Sequence, residues 1–164
     1  MTAAGNPQSS PAPQGEVLNR HIVDDLYSEA LLLADEARAV FDMRGDADAA
    51  LPATTKLALS VEGLKTTTRI MHVLAWLLNQ RAFFAGELTL KQLIAHGRLP
   101  EDRASDAQQV EHLPALTQHI VERTEQLHAR VARLELRASS EPPQTQDGGV
   151  HAIQDKLRNA FPSA

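Results

Sequence analysis

Any chemistry in this chain has to come from carboxylates, hydroxyls and its seven histidines, because it contains no cysteine. Disulfides, thiolate metal sites and a thiol nucleophile are therefore excluded. The most metal-like spacing is Glu125-x-x-His128. Helical di-iron proteins use that spacing, but they need two such motifs and two further glutamates facing one bundle interior. A single copy predicts no metal centre. His112 and His119 stand two helical turns apart and could approach a common partner, although solvated histidines are the simpler account. Hydroxyl nucleophiles need a strained, well-positioned turn, and neither G-x-S-x-G nor a phosphate-binding glycine loop is present. The compact polar group Thr66-Thr67-Thr68-Arg69 has no general base at a defined spacing. Its threonines can bond back to the preceding helical turn, and Arg69 suits a carboxylate on the first or third long helix. No catalytic residue and no cofactor is expected.

The element that must position these residues is a long helix over residues 54–86. Thr54 or Thr55 can cap its start behind Pro52, and Gly86 is placed to end it in a left-handed conformation. At 1.5 Å per residue it would run about 50 Å. Leu57, Leu64, Met71 and Leu78 recur every seventh residue, and Val61, Thr68, Ala75 and Ala82 repeat at an offset of four. That is an a/d seam for packing against other helices. From Ile70 to Leu78 the seam widens through Ile70, Val73, Leu74 and Leu77, covering roughly 200° of the wheel. Ser60, Gly63 and Thr67 are small and would let a neighbour approach closely. Trp76 falls outside the arc, on the side of Lys65, Arg69, His72 and Phe83. Arg69, His72, Trp76 and Phe83 are thereby candidates for a partner or dimer interface, the alternative being that a third helix or the termini cover them.

The remaining sequence supplies the rest of a bundle. Hydrophobic residues make up 43% and aromatics only 4%, and the apolar set is mostly Leu and Ala, which favours helix over sheet. Residues 1–15 are rich in Pro, Gly and Ser without charge and read as disordered. Residues 16–44 predict a first helix with the stripe Val23, Leu26, Ala30, Leu33, Ala37 and Val40, widened by Tyr27, Leu31, Ala34 and Phe41. Its acids Asp24, Asp25, Glu29, Asp35 and Glu36 read as a solvated face. The short connection after Gly45 makes helices one and two antiparallel neighbours. Thr89 can cap a short helix, Leu90 to His96, closed by Gly97, and residues 98–106 read as loop. Residues 110–137 predict the third long helix, with Leu113, Ile120, Leu127 and Leu134 every seventh residue, Leu116 and Val131 beside them, and Pro114 suited to its first turn. The expected fold is an all-α, antiparallel three-helix bundle over 16–137.

Residues 138–149 have linker composition. In residues 150–161 helical spacing returns, with Val150, Ile153, Leu157 and Phe161 on one side. A piece that short needs the bundle or a partner to fold against. These four residues are candidates for an interaction made by the tail. The net charge of −5 and the absence of a dense Lys/Arg patch disfavour nucleic acid as a general partner. No run approaches the ~20 apolar residues of a membrane span, and the N-terminus has no signal pattern, so a cytoplasmic protein is expected.

Residues 59–89 resemble the signature of a bacterial family, the RcdA family, named for the regulator of CtrA degradation. The matching elements are Glu62-Gly63-Leu64, Thr67-Thr68-Arg69, Met71, Ala75-Trp76-Leu77-Leu78, Gln80-Arg81 and Gly86-Glu87. The helix LPALTQHIVERTEQLHARVARLE is similar too, and the likeness covers about a hundred residues in order, leaving out the tails and residues 90–110. The resemblance implies a dimeric three-helix bundle with a flexible C-terminal tail and no enzymatic activity. It implies an adaptor that delivers cell-cycle regulators, such as transcriptional regulators, to the ClpXP protease. The response-regulator adaptor CpdR and the cyclic-di-GMP effector PopA would act with it, and recruitment to the cell pole would follow. The matched residues are mostly core, so no contact residue is carried over. Two other classes are weighed against the adaptor. A DNA-associated regulator would use Lys65, Arg69 and Arg81 with Arg123, Arg130, Arg133 and Arg137, and a metal-binding bundle would use the histidines.

Overall fold

The computed structural model of the chain describes residues 18–42 and 50–140. Their order is α1 (Arg20–Asp42), α2 (Ala53–Phe84), α3 (Leu90–His96), α4 (Ala107–Glu111) and α5 (Ala115–Ser140), and none of them forms a strand. The expected all-α class is what forms. The N-terminal segment 1–15, Gly45 with most of its connection, and the tail stripe of Val150, Ile153, Leu157 and Phe161 lie outside the described residues.

Asn19 caps α1, its Oδ1 accepting the Ile22 N–H at 3.0 Å. All six residues of the expected α1 stripe are buried. Each larger aliphatic among them contributes about 1.5–3 kcal/mol relative to exposure. Leu31, expected to widen the stripe, is exposed instead.

The start of α2 differs from expectation. Pro52 takes the cap position, its carbonyl accepts the Lys56 N–H at 3.0 Å, and no side chain caps the helix. Thr54 and Thr55 therefore sit inside it. At the other end Gly86 adopts φ 77°, as its position predicts. The Glu87 N–H reaches Ala82 O at 2.9 Å and the Gly86 N–H reaches Phe83 O at 3.0 Å, which is a Schellman closure. Gly63 allows the close approach expected of it: a Cβ there would lie 3.0 Å from Phe41 Cδ1 of α1.

Thr89 and Gln92 form a capping box at α3. At Gly97 a Cβ would fall 2.6 Å from Leu93 O, so glycine is required where the chain leaves α3. The helix expected from residue 110 is broken. Pro114 has no N–H to donate and disfavours helical geometry at Leu113. A separate one-turn α4, capped by Asp106, precedes it. Then α5 starts behind Pro114, whose carbonyl accepts the Gln118 N–H at 3.0 Å. It continues to Ser140, past the expected end at 137.

The three long helices pack on one another around a core drawn from all of them. Asp24 of α1 meets Arg81 of α2, and Phe41 meets Gly63, so these two helices are antiparallel. Glu29 and Glu36 of α1 pair with Arg130 and Arg123 of α5, so that pair is antiparallel too. But Arg69 meets Thr124, and Trp76 meets Glu135, so α2 and α5 run in the same direction. The bundle thus departs from an all-antiparallel arrangement. Residues 85–114 carry the chain back along its length to make the third pass parallel to the second. Among the described residues no helix is long and apolar enough to cross a membrane.

Candidate functional site

The seam read from the sequence of α2 divides: Ile70, Val73 and Leu77, which widen it, are buried in the core, whereas its heptad row faces solvent. Leu57 is 67% exposed, Leu64 70%, Met71 62% and Leu78 47%, and Val61, Thr68 and Ala75 are exposed with them. The opposite side of α2 is buried and carries Leu59, Glu62, Thr66, Arg69, Ile70, Val73, Trp76, Leu77 and Gln80. The buried side thus mixes apolar residues with Glu62, Thr66, Arg69 and Gln80, and large aliphatics stand outside. An exposed heptad row of large aliphatics is the sort of patch that marks an interaction surface.

Burial corrects the expected interface set. Trp76 is 2% exposed and Arg69 1%, so both belong to the protein's own interior. His72 and Phe83 are half-buried, and the Phe83 ring stacks obliquely on Phe84, centroids 5.9 Å apart. The four do not form one outward surface. Of the two readings, a covering element is the one that holds for Trp76 and Arg69: α5 and the chain between α3 and α4 lie over them.

That covering segment, residues 98–106, has no regular secondary structure and runs along the groove between α2 and α5. It is held by a series of polar contacts. The Leu99 N–H donates to Glu135 Oε1 at 2.7 Å, beside the Trp76 Nε1–H at 3.3 Å. Pro100 O accepts from His128 Nε2 at 3.0 Å, which places the ring proton on that nitrogen. Asp102 takes the Arg69 Nε–H at 2.8 Å on both carboxylate oxygens. The other guanidinium nitrogens donate to Thr124 Oγ1 at 2.9 Å, and to Arg103 O and Glu125 Oε1 at 3.3 Å each. The Ser105 N–H meets Glu125 Oε1 at 3.0 Å, and its hydroxyl donates to Glu62 Oε2 at 2.6 Å. Glu62 is fully buried and also pairs with Lys65 at 2.9 Å. Arg69 thus finds its carboxylate on the third long helix, as expected, and a second on the strap, which spacing did not reveal.

The same contacts bear on the alternative functions. Glu125 and His128, the metal-like pair, are both committed to residues 98–106. His112 and His119 are exposed. Among the cations that would face DNA, Arg69 is buried, Lys65 pairs with Glu62, and Arg81, Arg123 and Arg130 pair with α1 acids. The α1 carboxylates Asp24, Glu29 and Glu36 therefore bridge helices rather than standing merely solvated. Arg81 also lies over the Tyr27 ring at 4.5 Å. Partnered cations have less field to offer phosphate.

Residues 14–161 match the model of a family described as a protein of unknown function, DUF1465. No curated protein matches the chain. Among solved structures it is similar to the crystal structure of RcdA from Caulobacter crescentus CB15, with 31% identity and a TM-score of 0.61, covering 75% of this chain and 96% of that one.

Proposed function

Since the chain belongs to the RcdA family, we propose that it is a non-enzymatic adaptor that promotes degradation of cell-cycle regulators by the ClpXP protease. It tethers cargo, transcriptional regulators among it, to protease primed by a CpdR-type response regulator, with a PopA-type effector modulating delivery in the cytoplasm or at the cell pole. The observation that carries this reading is the shared sequence and fold over nearly the whole Caulobacter chain. A helical body in which the buried charges Glu62 and Arg69 are taken up by structural pairing supports it. So does the partnering of most of the cations that a DNA-binding reading would need. The test is reconstituted proteolysis with ClpXP, the response regulator and a labelled cargo. Degradation should accelerate on adding this chain. Cargo lost equally fast without it would end the adaptor reading.

The seam fits a second copy of the chain. From Leu57 to Ala82 it extends about 38 Å along one helix, long enough for an isologous two-helix contact. Leu64→Glu with Met71→Glu should convert the homodimer to monomer in sedimentation experiments with the helical circular dichroism intact. Both positions are exposed in the single chain, whereas two carboxylates in a dry seam would be costly to desolvate. A double variant that stays dimeric removes the seam from the interface.

The tail is proposed to contact cargo or a priming factor through Val150, Ile153, Leu157 and Phe161, in the manner of a helix laid in a groove. The family match extends through Phe161 and so takes in this stripe. Because α5 reaches Ser140, the informative truncation removes 141–164. It should leave the helical body folded and dimeric and slow cargo delivery, and Leu157→Ser with Phe161→Ser should reproduce the loss. Unchanged degradation of every cargo would deny the tail an adaptor role.

A further inference from the structure

We propose that the groove between α2 and α5 is a recognition site for an extended peptide segment, and that residues 98–106 are its built-in occupant, displaceable by a partner segment with aspartate three residues before serine or threonine. The site is read from how the strap is held. Glu135 and Glu125 accept main-chain N–H groups six residues apart, and His128, Arg69 and Lys65 donate to main-chain carbonyls. Only two strap side chains enter polar recognition: Asp102 on Arg69 and Ser105 on Glu62. A groove that reads backbone plus one carboxylate and one hydroxyl accepts any extended chain of that spacing. Six extended residues reach about 20 Å, against about 15 Å of helix between Glu125 and Glu135, so the strap spans the two acceptors with about 5 Å to spare.

The strap's own anchorage is mostly polar. Neither α3 nor α4, the helices flanking it, buries a side chain, and Arg98, Pro100, Glu101, Arg103 and Ala104 are exposed. Leu99 alone packs against the core cluster. Emptying the groove would cost Arg69 its Asp102 carboxylate and Glu62 its Ser105 hydroxyl, leaving Glu125 and Lys65 as their charged partners. Exchange of one occupant for another leaves every charge partnered. Arrival of a ligand of the same chemistry restores those bonds and so favours opening. The tethered strap competes at an effective concentration on the order of millimolar, so a lone peptide displaces it weakly and a partner held by a second contact displaces it well. This deepens the adaptor reading, on which the identity of the partner as cargo rests. Peptide binding is measured without protease, so its failure would leave the degradation test standing.

The experiment uses the full chain, unaltered and with Asp102→Asn, and a fluorescent peptide of residues 98–106. Asp102→Asn leaves Arg69 partnered by Glu125, Thr124 and Arg103 O. The peptide should bind this variant at least tenfold more tightly than the unaltered chain, and an asparagine at the aspartate position of the peptide should abolish binding. Equal affinity for both chains would place the peptide elsewhere, and no binding to a variant with full helical signal would overturn the proposal. In case the variant loses helical signal, hydrogen exchange is followed on the unaltered chain. Millimolar peptide should speed exchange of the Leu99 and Ser105 amides, and unchanged protection would show that the strap is a fixed strut.

Discussion

Trp76→Ala is expected to lower the free energy of unfolding by about 3–5 kcal/mol, the range for deleting a large buried aromatic. Trp76 is 2% exposed and belongs to the core shared by α1, α2 and α5. The indole also donates to Glu135 at 3.3 Å, the carboxylate that takes the Leu99 N–H. Truncation therefore opens a cavity, and Glu135 loses one of two donors. Trp76→Phe should cost less, because it keeps most of the ring volume and forfeits the N–H. Urea unfolding at several protein concentrations separates this loss from dimer dissociation, since a purely interfacial residue would change stability only through concentration. A Trp76→Ala chain as stable as its parent at every concentration would mean the indole is not core.

That Trp76 lies inside was not legible in the sequence, and α2 shows why. Heptad reading follows the apolar row of Leu57, Leu64, Met71 and Leu78, whereas the inner face interrupts Leu59, Ile70, Val73, Trp76 and Leu77 with Glu62, Thr66, Arg69 and Gln80. Polar residues can be interior here because a distant segment satisfies them, and Asp102 stands 33 positions from Arg69. No local period reports a contact of that kind. By contrast the buried stripe of α1 was readable, since Val23, Leu26, Ala30, Leu33, Ala37 and Val40 alternate with charged positions, although Leu31 lies outside it and three of the acids bridge helices. Local capping was readable where it rests on neighbouring residues, as at Thr89 with Gln92 and at Gly86. Leu116, expected on the α5 stripe, is exposed: its heptad neighbours Leu113 and Ile120 are buried, and Thr117 takes the place beside them. The parallel course of α2 and α5 was hidden for a related reason. Direction depends on the path of residues 85–114, and amphipathicity is the same whichever way a helix runs.

Arg69→Met should destabilise the chain by about 3 kcal/mol, the lower end of the ~3–5 kcal/mol expected when one partner of a buried ion pair is removed. The lower end applies because the orphaned carboxylates keep some water: the Asp102 side chain is 22% exposed and that of Glu125 35%, while Arg69 itself is wholly enclosed. Methionine fills much of the volume, so the loss reports the guanidinium rather than a cavity. Arg69→Lys should recover little. One ammonium cannot donate at once to Asp102, Thr124, Arg103 O and Glu125 as the planar fork does. Adding Asp102→Asn to Arg69→Met should cost less than the two changes separately, because the second substitution removes a carboxylate that has already lost its cation. Hydrogen exchange should show where the loss falls. The Leu99 and Ser105 amides should lose protection, while the α1 amides at Leu26 and Leu33 exchange only with global unfolding. Strict additivity, with protection at Ser105 unchanged, would mean that Arg69 does not hold the strap and that packing alone keeps residues 98–106 in the groove.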